Sequence, residues 1–219
     1  MSLTKSTMWR AAALVLALPL LLGACSSNNS AGDSAGEPTG GSAGGDAPSP
    51  DLAEDRTWTG TMVIGGESVE ISLDGEKAPQ AVASFVTLAE NGFFDDVACH
   101  RLTTQGIYVL QCGDPSGDGT GGPGYSFGPV ENDPADGVYP AGTIAMARIG
   151  NDGDSNGSQF FLVYQESTIP SDSAGGYSIF GEITGGLDVV QAIAADGVEG
   201  GGADGPPATP AVIESIAVE

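Results

Sequence analysis

Apolar and polar residues change period several times along this chain. Trp58–Ile64 is rich in β-formers. After Gly65-Gly66, the run Ser68-Val69-Glu70-Ile71-Ser72-Leu73 alternates polar and apolar residues without a break. Two such runs joined by a glycine pair predict a hairpin with one buried face. At Pro79 the period lengthens: in PQAVASFVTLAENG, Val82, Phe85, Val86 and Ala89 fall on one helical stripe. Proline in the first turn and Gly92 past the last punctuate that helix. From Cys99 onward, short apolar runs alternate with glycine-rich loops. The runs Cys99–Leu102, Tyr108–Gln111, Thr143–Ala147, Gln159–Tyr164, Ser178–Glu182 and Val212–Val218 read as strands. A second helix fits Leu187 to Ala194, with Leu187, Val190 and Ile193 on one side. Many strands with turn signals and two helices predict an all-β-dominated barrel or sandwich.

The first residues belong to a different pattern. Lys5 and Arg10 precede an apolar run from Ala11 to Leu22, shorter than the ~20 residues of a spanning helix. This is the pattern of an export signal. It ends in Leu22-Gly23-Ala24-Cys25, which resembles the bacterial lipobox and implies cleavage before Cys25 and lipidation of its thiol. The expected organisation is a signal peptide over residues 1–24, a lipidated Cys25 with a Gly/Ser/Pro-rich tether over 25–55, and one folded domain over 56–219. The tether lacks apolar periodicity and cannot offset the entropy cost of ordering.

Charge removes one class of function. The chain carries 6 Lys+Arg against 29 Asp+Glu, a formal charge of −23. Without Lys5 and Arg10, the cations are Arg56, Lys77, Arg101 and Arg148. Nucleic-acid binding needs clustered basic residues and is excluded as a function. Of the 3 cysteines, Cys25 belongs to the lipobox, leaving Cys99 and Cys112, which can pair in an oxidising compartment. Their spacing offers no zinc site.

Three local motifs carry little. Gly117-Asp118-Gly119-Thr120-Gly121-Gly122 matches G-x-G-x-x-G, but Pro123 and further turn residues follow it where a dinucleotide site needs a helix. A loop with unusual backbone angles is the better account. Asp152-x-Asp154-x-Asn156-Gly157 imitates the start of a calcium loop, yet the twelfth position is Val163 rather than glutamate. His100, the chain's single histidine, has no G-x-S-x-G partner and reads as structural.

Taken together, several segments say more. They are His100-Arg101, Tyr108-Val109-Leu110-Gln111-Cys112-Gly113-Asp114, Gly119-Thr120-Gly121-Gly122, Gly142–Ala147, Asn156-Gly157-Ser158-Gln159-Phe160-Phe161 and Ile179-Phe180-Gly181. Their order and spacing resemble the cyclophilin family of peptidyl-prolyl isomerases over roughly residues 57–219. The resemblance implies a closed eight-stranded antiparallel barrel capped by two α-helices, with a shallow groove outside the barrel and neither metal nor cofactor. It implies rotation about X-Pro bonds, whose barrier of ~18–20 kcal/mol comes from amide resonance. A donor aimed at the prolyl nitrogen favours the twisted amide over both planar forms, and a planar, always-charged guanidinium suits that task.

By this resemblance Arg101 is the catalytic arginine and Gln111 orients it. Tyr108, Val109 and Phe161 line the proline pocket, and Gln159 lines the groove. Ala147, Arg148 and Ile149 offer backbone to the extended peptide, and because backbone pairing tolerates different side chains, Arg148 is acceptable where the family often has asparagine. Tyr177 stands where the family has a groove histidine. A tryptophan that many members use for cyclosporin is missing near Thr168-Ile169-Pro170, which implies weakened cyclosporin binding. The segment between Arg101 and Tyr108 is about two residues longer than in well-known members. The expected protein is a monomeric isomerase that acts on proline-containing polypeptides during the folding of exported proteins. It is held to the outer face of the cell membrane by its lipid alone. The alternative is a module that binds proline peptides without turnover. For the cysteines, side-chain alternation puts Cys99 on the groove face with Arg101 and Gln111 and points Cys112 away. Strict alternation speaks against a Cys99–Cys112 bond unless a bulge intervenes, which the two extra residues between Arg101 and Tyr108 could supply.

Overall fold

A computed structural model of the chain describes residues 45–219. The expected signal segment, Cys25 and the first part of the tether lie outside the described residues. The last part of the tether belongs to the domain. Pro50–Ala53 forms a 3₁₀ turn, Ala53 is fully buried, and its carbonyl accepts from Trp58 Nε1 at 2.9 Å. Gln80 Nε2 donates to Pro48 O at 2.8 Å. The packed domain therefore includes residues before 56, because Ala47 and Ala53 find a place on the core.

Strands β1 (Thr57–Ile64) and β2 (Glu67–Asp74) form the expected hairpin, paired from Thr57↔Asp74 to Ile64↔Glu67. Gly65 and Gly66 have φ of 60° and 84°, as the tight turn between twisted strands requires. Helix α1 (Pro79–Glu90) follows. Its amides at Gln80 and Ala81 donate to the Glu131 carboxylate, both at 3.0 Å, which satisfies orphan donors of the first turn. The remaining strands are β3 (Val97–Ala98), β4 (Arg101–Thr103), β5 (Val109–Cys112), β6 (Val138–Tyr139), β7 (Thr143–Met146), β8 (Phe160–Val163), β9 (Ser167–Thr168), β10 (Ile179–Gly185), β11 (Asp204–Gly205) and β12 (Val212–Val218), with α2 (Leu187–Ala195) between β10 and β11.

Ten of these strands form one antiparallel sheet in the order β11-β4-β5-β8-β7-β10-β2-β1-β12-β3; β6 and β9 pair separately. Strands β3 and β4 lie near opposite ends of that order, yet only Cys99 and His100 separate them. The sheet therefore curls round on itself. The molecule is mostly β with two helices, as expected, but the sheet is a curled half-barrel of ten strands rather than eight. The surplus comes from two-residue pieces such as β3 and β11, which are too short to leave a sequence period.

The inside of the curl holds the main core. Phe85 of α1 meets Phe94, Phe160 and Phe180 at ring distances of 5.2, 5.3 and 5.2 Å. Alternate residues of β5, β7 and β8 (Leu110, Cys112, Ile144, Met146, Phe160 and Leu162) face this core. The residues between them, Val109, Ala145, Phe161 and Val163, belong to a second cluster with the fully buried Tyr139. Strands covered on both faces read as continuous apolar runs, and this second, outer cluster carries the candidate site.

Candidate active site

Register places the site. Arg101 pairs with Gln111, Gln111 with Phe161 and Phe161 with Ala145, so four residues from four strands form one row across the sheet. Residues in a row project to the same face.

Arg101 is held on two sides. Its Nε and Nη2 donate to the two Asp204 carboxylate oxygens at 2.8 and 2.7 Å, and Nη1 donates to Gln111 Oε1 at 3.2 Å. Gln111 Nε2 donates to Gln159 Oε1 at 2.9 Å. Gln159 Nε2 in turn donates to the carbonyls of Gly119 and Gly121 at 3.0 and 2.9 Å. The chain of bonds fixes both amide orientations. Hydrogen bonding to Asp204 raises the Arg101 pKa further, and the same bonds lower that of Asp204.

The glycine-rich loop thus serves Gln159. Gly117 and Gly119 have φ of 71° and 87°, angles that suit glycine. Asp114, 1 % exposed, accepts from the amides of Ser116, Asp118 and Gly119 and from the Ser116 hydroxyl. Burial alone would raise its pKa, but these bonds outweigh burial and bring it down to about 2. The Asp152–Asn156 loop is tied internally: Asp154 N–H reaches Asp152 Oδ1, and Asn156 Nδ2 serves the carbonyls of Phe127 and Gly153.

A cavity of ≈180 Å³ is walled by Ile107, Val109, Ala147, Phe161, Ile169 and Tyr177, and Arg101, Gln111 and Arg148 also line it. A larger recess of ≈520 Å³ adjoins it, sharing Gln111, Ala147 and Arg148 and adding Gln159, Ile149 and the Gly119–Gly122 loop. The two make one groove. Tyr177 stacks edge-on to Phe161 at 5.6 Å, with Tyr139 behind both. Tyr139 Oη accepts from Tyr177 N–H at 2.8 Å.

Several expected residues sit differently. Tyr108 points to the other side of β5, its ring 5.9 Å from Tyr164, and does not line the cavity. Alternation explains the change: Ile107, Val109 and Gln111 share a face, so the position expected of Tyr108 is taken by Ile107. The Arg148 side chain is not incidental. It is fully buried, forms two bonds to Asp172 at 3.0 and 2.9 Å, and donates to the carbonyls of Gly176 and Gly175 at 2.9 and 2.7 Å. Its Cζ lies 4.8 Å from the Tyr177 ring. It pins the loop that sets Tyr177 over the cavity. Ile149 is 69 % exposed at the rim of the larger recess.

The cysteines form a disulfide, Cys99–Cys112, with Cα atoms 3.9 Å apart. Strict alternation fails at His100. Its N–H donates to Gln111 O at 3.0 Å although Gln111 pairs with Arg101. Two residues therefore face one, a β-bulge that brings Cys99 opposite Cys112. The bulge lies at His100–Arg101, not in the longer 102–107 segment. His100 itself is structural in its surroundings: burial lowers its pKa, and neither ring nitrogen has a partner among the described residues.

Asp172, Asp204, Ile107, Ile169 and Tyr139 were not among the expected site residues. Period-two spacing from Val109 could have found Ile107. The acids carry no local signal, because each meets its arginine only through the fold.

The geometry has counterparts in known proteins. The family model for cyclophilin-type peptidyl-prolyl cis-trans isomerases matches residues 60–218. The chain is 44 % identical over 173 residues to the "Probable peptidyl-prolyl cis-trans isomerase B" of Mycobacterium tuberculosis, covering 73 % of this chain and 54 % of that one. It thus spans a little over half the length of that relative. It is 39 % identical over 132 residues to peptidyl-prolyl cis-trans isomerase B of Bacillus subtilis, covering 59 % of this chain and 86 % of the other. The crystal structure of a Cryptosporidium parvum cyclophilin-type isomerase superposes with a TM-score of 0.62 at 22 % identity, covering 75 % of this chain and 98 % of that one. That likeness speaks to the fold.

Proposed function

Because this chain belongs to the cyclophilin-type peptidyl-prolyl cis-trans isomerase family, we propose that it catalyses cis-trans rotation about X-Pro bonds in polypeptides. The observation that carries the reading is the cross-strand row Arg101–Gln111–Phe161 with an apolar cavity beside it. A prolyl ring seated against Phe161, Val109 and Ile107 presents its imide nitrogen to Arg101. Of the five guanidinium N–H groups, three are engaged by Asp204 and Gln111, and the other two are available to the substrate. In the planar imide the nitrogen lone pair is delocalised and accepts poorly. In the twisted form the lone pair is localised and accepts well, so the same donor binds the transition state more tightly than either ground state. Neither bond-breaking nor an added group is required.

The peptide would lie along residues 147–149. Ala147 N–H is used by Gln159 O at 2.9 Å and Ile149 N–H by Ser155 Oγ at 2.8 Å. That leaves the Arg148 backbone, held still by its buried side chain, as the pairing point. Reading Val97–Thr103 as a single bent strand and setting β11 aside would give the closed eight-stranded barrel of the family. The resemblance of Leu22–Cys25 to a lipobox and the Gly/Ser/Pro-rich tether support an exported enzyme anchored at the outer face of the membrane, acting on exported proteins as they fold.

The test is isomerase activity on an X-Pro tetrapeptide, with Arg101→Ala as the control. The variant is expected to lose at least about tenfold in kcat/KM, equivalent to ~1.4 kcal/mol of transition-state stabilisation. A wild-type protein that binds the peptide without accelerating exchange would establish the binding-module alternative instead.

A further inference from the structure

We propose that Asp204 is a positioning residue of the isomerase: it sets the plane in which Arg101 meets the prolyl nitrogen. The inference rests on the isomerase reading above. Gln111 touches the guanidinium at one point, Nη1, at 3.2 Å. One contact lets a half-exposed arginine pivot. Asp204 takes the opposite edge, with Nε and Nη2 at 2.8 and 2.7 Å. Two parallel bonds to a carboxylate define a plane as well as a distance. Together the two partners leave one N–H on each Nη, both held in a fixed direction.

Asp204 is itself built in. It lies on β11, which pairs with the strand that carries Arg101, through Asp204↔Thr103 and Gly205↔Leu102. Thr104 N–H donates to Ala203 O at 2.9 Å. The segment around it closes on its own backbone, with Glu199 N–H to Pro206 O and Ala208 N–H to Gly197 O, both at 2.8 Å. A loop more than a hundred residues away in sequence thus delivers one carboxylate to one guanidinium. Among the described residues, Asp204 is the only acid paired with Arg101.

Positioning acts mainly on the transition state, because the planar imide asks little of Arg101. The experiment compares kcat and KM on an X-Pro peptide for the wild type, Asp204→Ala, Asp204→Asn and Asp204→Glu, with thermal unfolding of each. It adds the water-exchange rate of the Arg101 Nε–H resonance. Asp204→Ala is expected to lower kcat by at least about fivefold with KM nearly unchanged. Nε–H exchange should accelerate, Asp204→Asn should fall between, and Asp204→Glu should restore most of kcat. A kcat for Asp204→Ala within twofold of wild type, or above it, overturns the proposal. So does a loss that follows the melting temperature and is not recovered by Asp204→Glu. A wild type with no isomerase activity overturns the isomerase reading instead, and is recognised as such before any variant is compared.

Discussion

Replacing both Cys99 and Cys112 by alanine is expected to cost stability and to spare the site. The two residues are 13 apart in sequence. Closing a loop of that size removes about 10 cal/mol/K of chain entropy from the unfolded state, or about 3 kcal/mol at 25 °C. For a domain of this size each kcal/mol moves the melting temperature by roughly 2–4 °C. The double variant should therefore melt about 6–12 °C lower. Both sulfurs are buried, with Cys99 2 % and Cys112 0 % exposed, so removing them adds a small cavity cost. Reductant on the wild type lacks that cavity and separates the two effects. The bulge that aims Arg101 has its own support: Cys99 N–H reaches Ala211 O at 2.7 Å and His100 N–H reaches Gln111 O. Isomerase activity at 25 °C should stay within about threefold. Thermal unfolding of residues 45–219, which hold only Cys99 and Cys112, measures the first quantity in oxidised and reduced form, and a thiol count after denaturation checks the bond. Two free thiols without reductant, or a melting shift under about 2 °C, would refute the reasoning.

Other perturbations test the site and its surroundings. Ile107→Ala should raise KM by about threefold to tenfold by removing a wall of the proline cavity, whereas Tyr108→Phe should leave it unchanged; the reverse order would restore Tyr108 to the pocket. Arg148→Ala should raise KM by releasing the 172–177 loop and Tyr177, visible as loss of Tyr177–Phe161 ring contacts by NMR. Asp114 has a folded pKa of about 2 against 3.8 as reference. Its contribution, about 2 kcal/mol at most, is therefore complete above pH ~4 and lost as pH falls toward 2. Denaturant titrations should show that decline, and Asp114→Asn should flatten it. Cyclosporin should bind weakly, since Ile169 occupies the cavity wall and no tryptophan lies there; a low-nanomolar Kd would contradict this.

Much of the molecule is written locally. The glycine pair at 65–66, the alternation of β2 and the stripe of Val82, Phe85, Val86 and Ala89 define the hairpin and α1, because turn chemistry and side-chain period depend only on near neighbours. The resemblance of Leu22–Cys25 to a lipobox and the low count of cations are equally local. The order of Arg101, Gln111, Gln159 and Phe161 along the chain sufficed to suggest the site through family resemblance. What the sequence could not determine depends on register between distant strands. That Arg101, Gln111 and Phe161 stand in one row requires β4, β5 and β8 to pair without a slip. One bulged residue, His100, decides that Cys99 faces Cys112. One step of alternation exchanges Tyr108 for Ile107. Asp204 and Asp172 find their arginines across 103 and 24 residues. A short piece such as β11 has no period of its own, so its place is set by the sheet edge it completes. Long-range pairing is chosen by the burial of the whole sheet, and only the tertiary structure contains that choice.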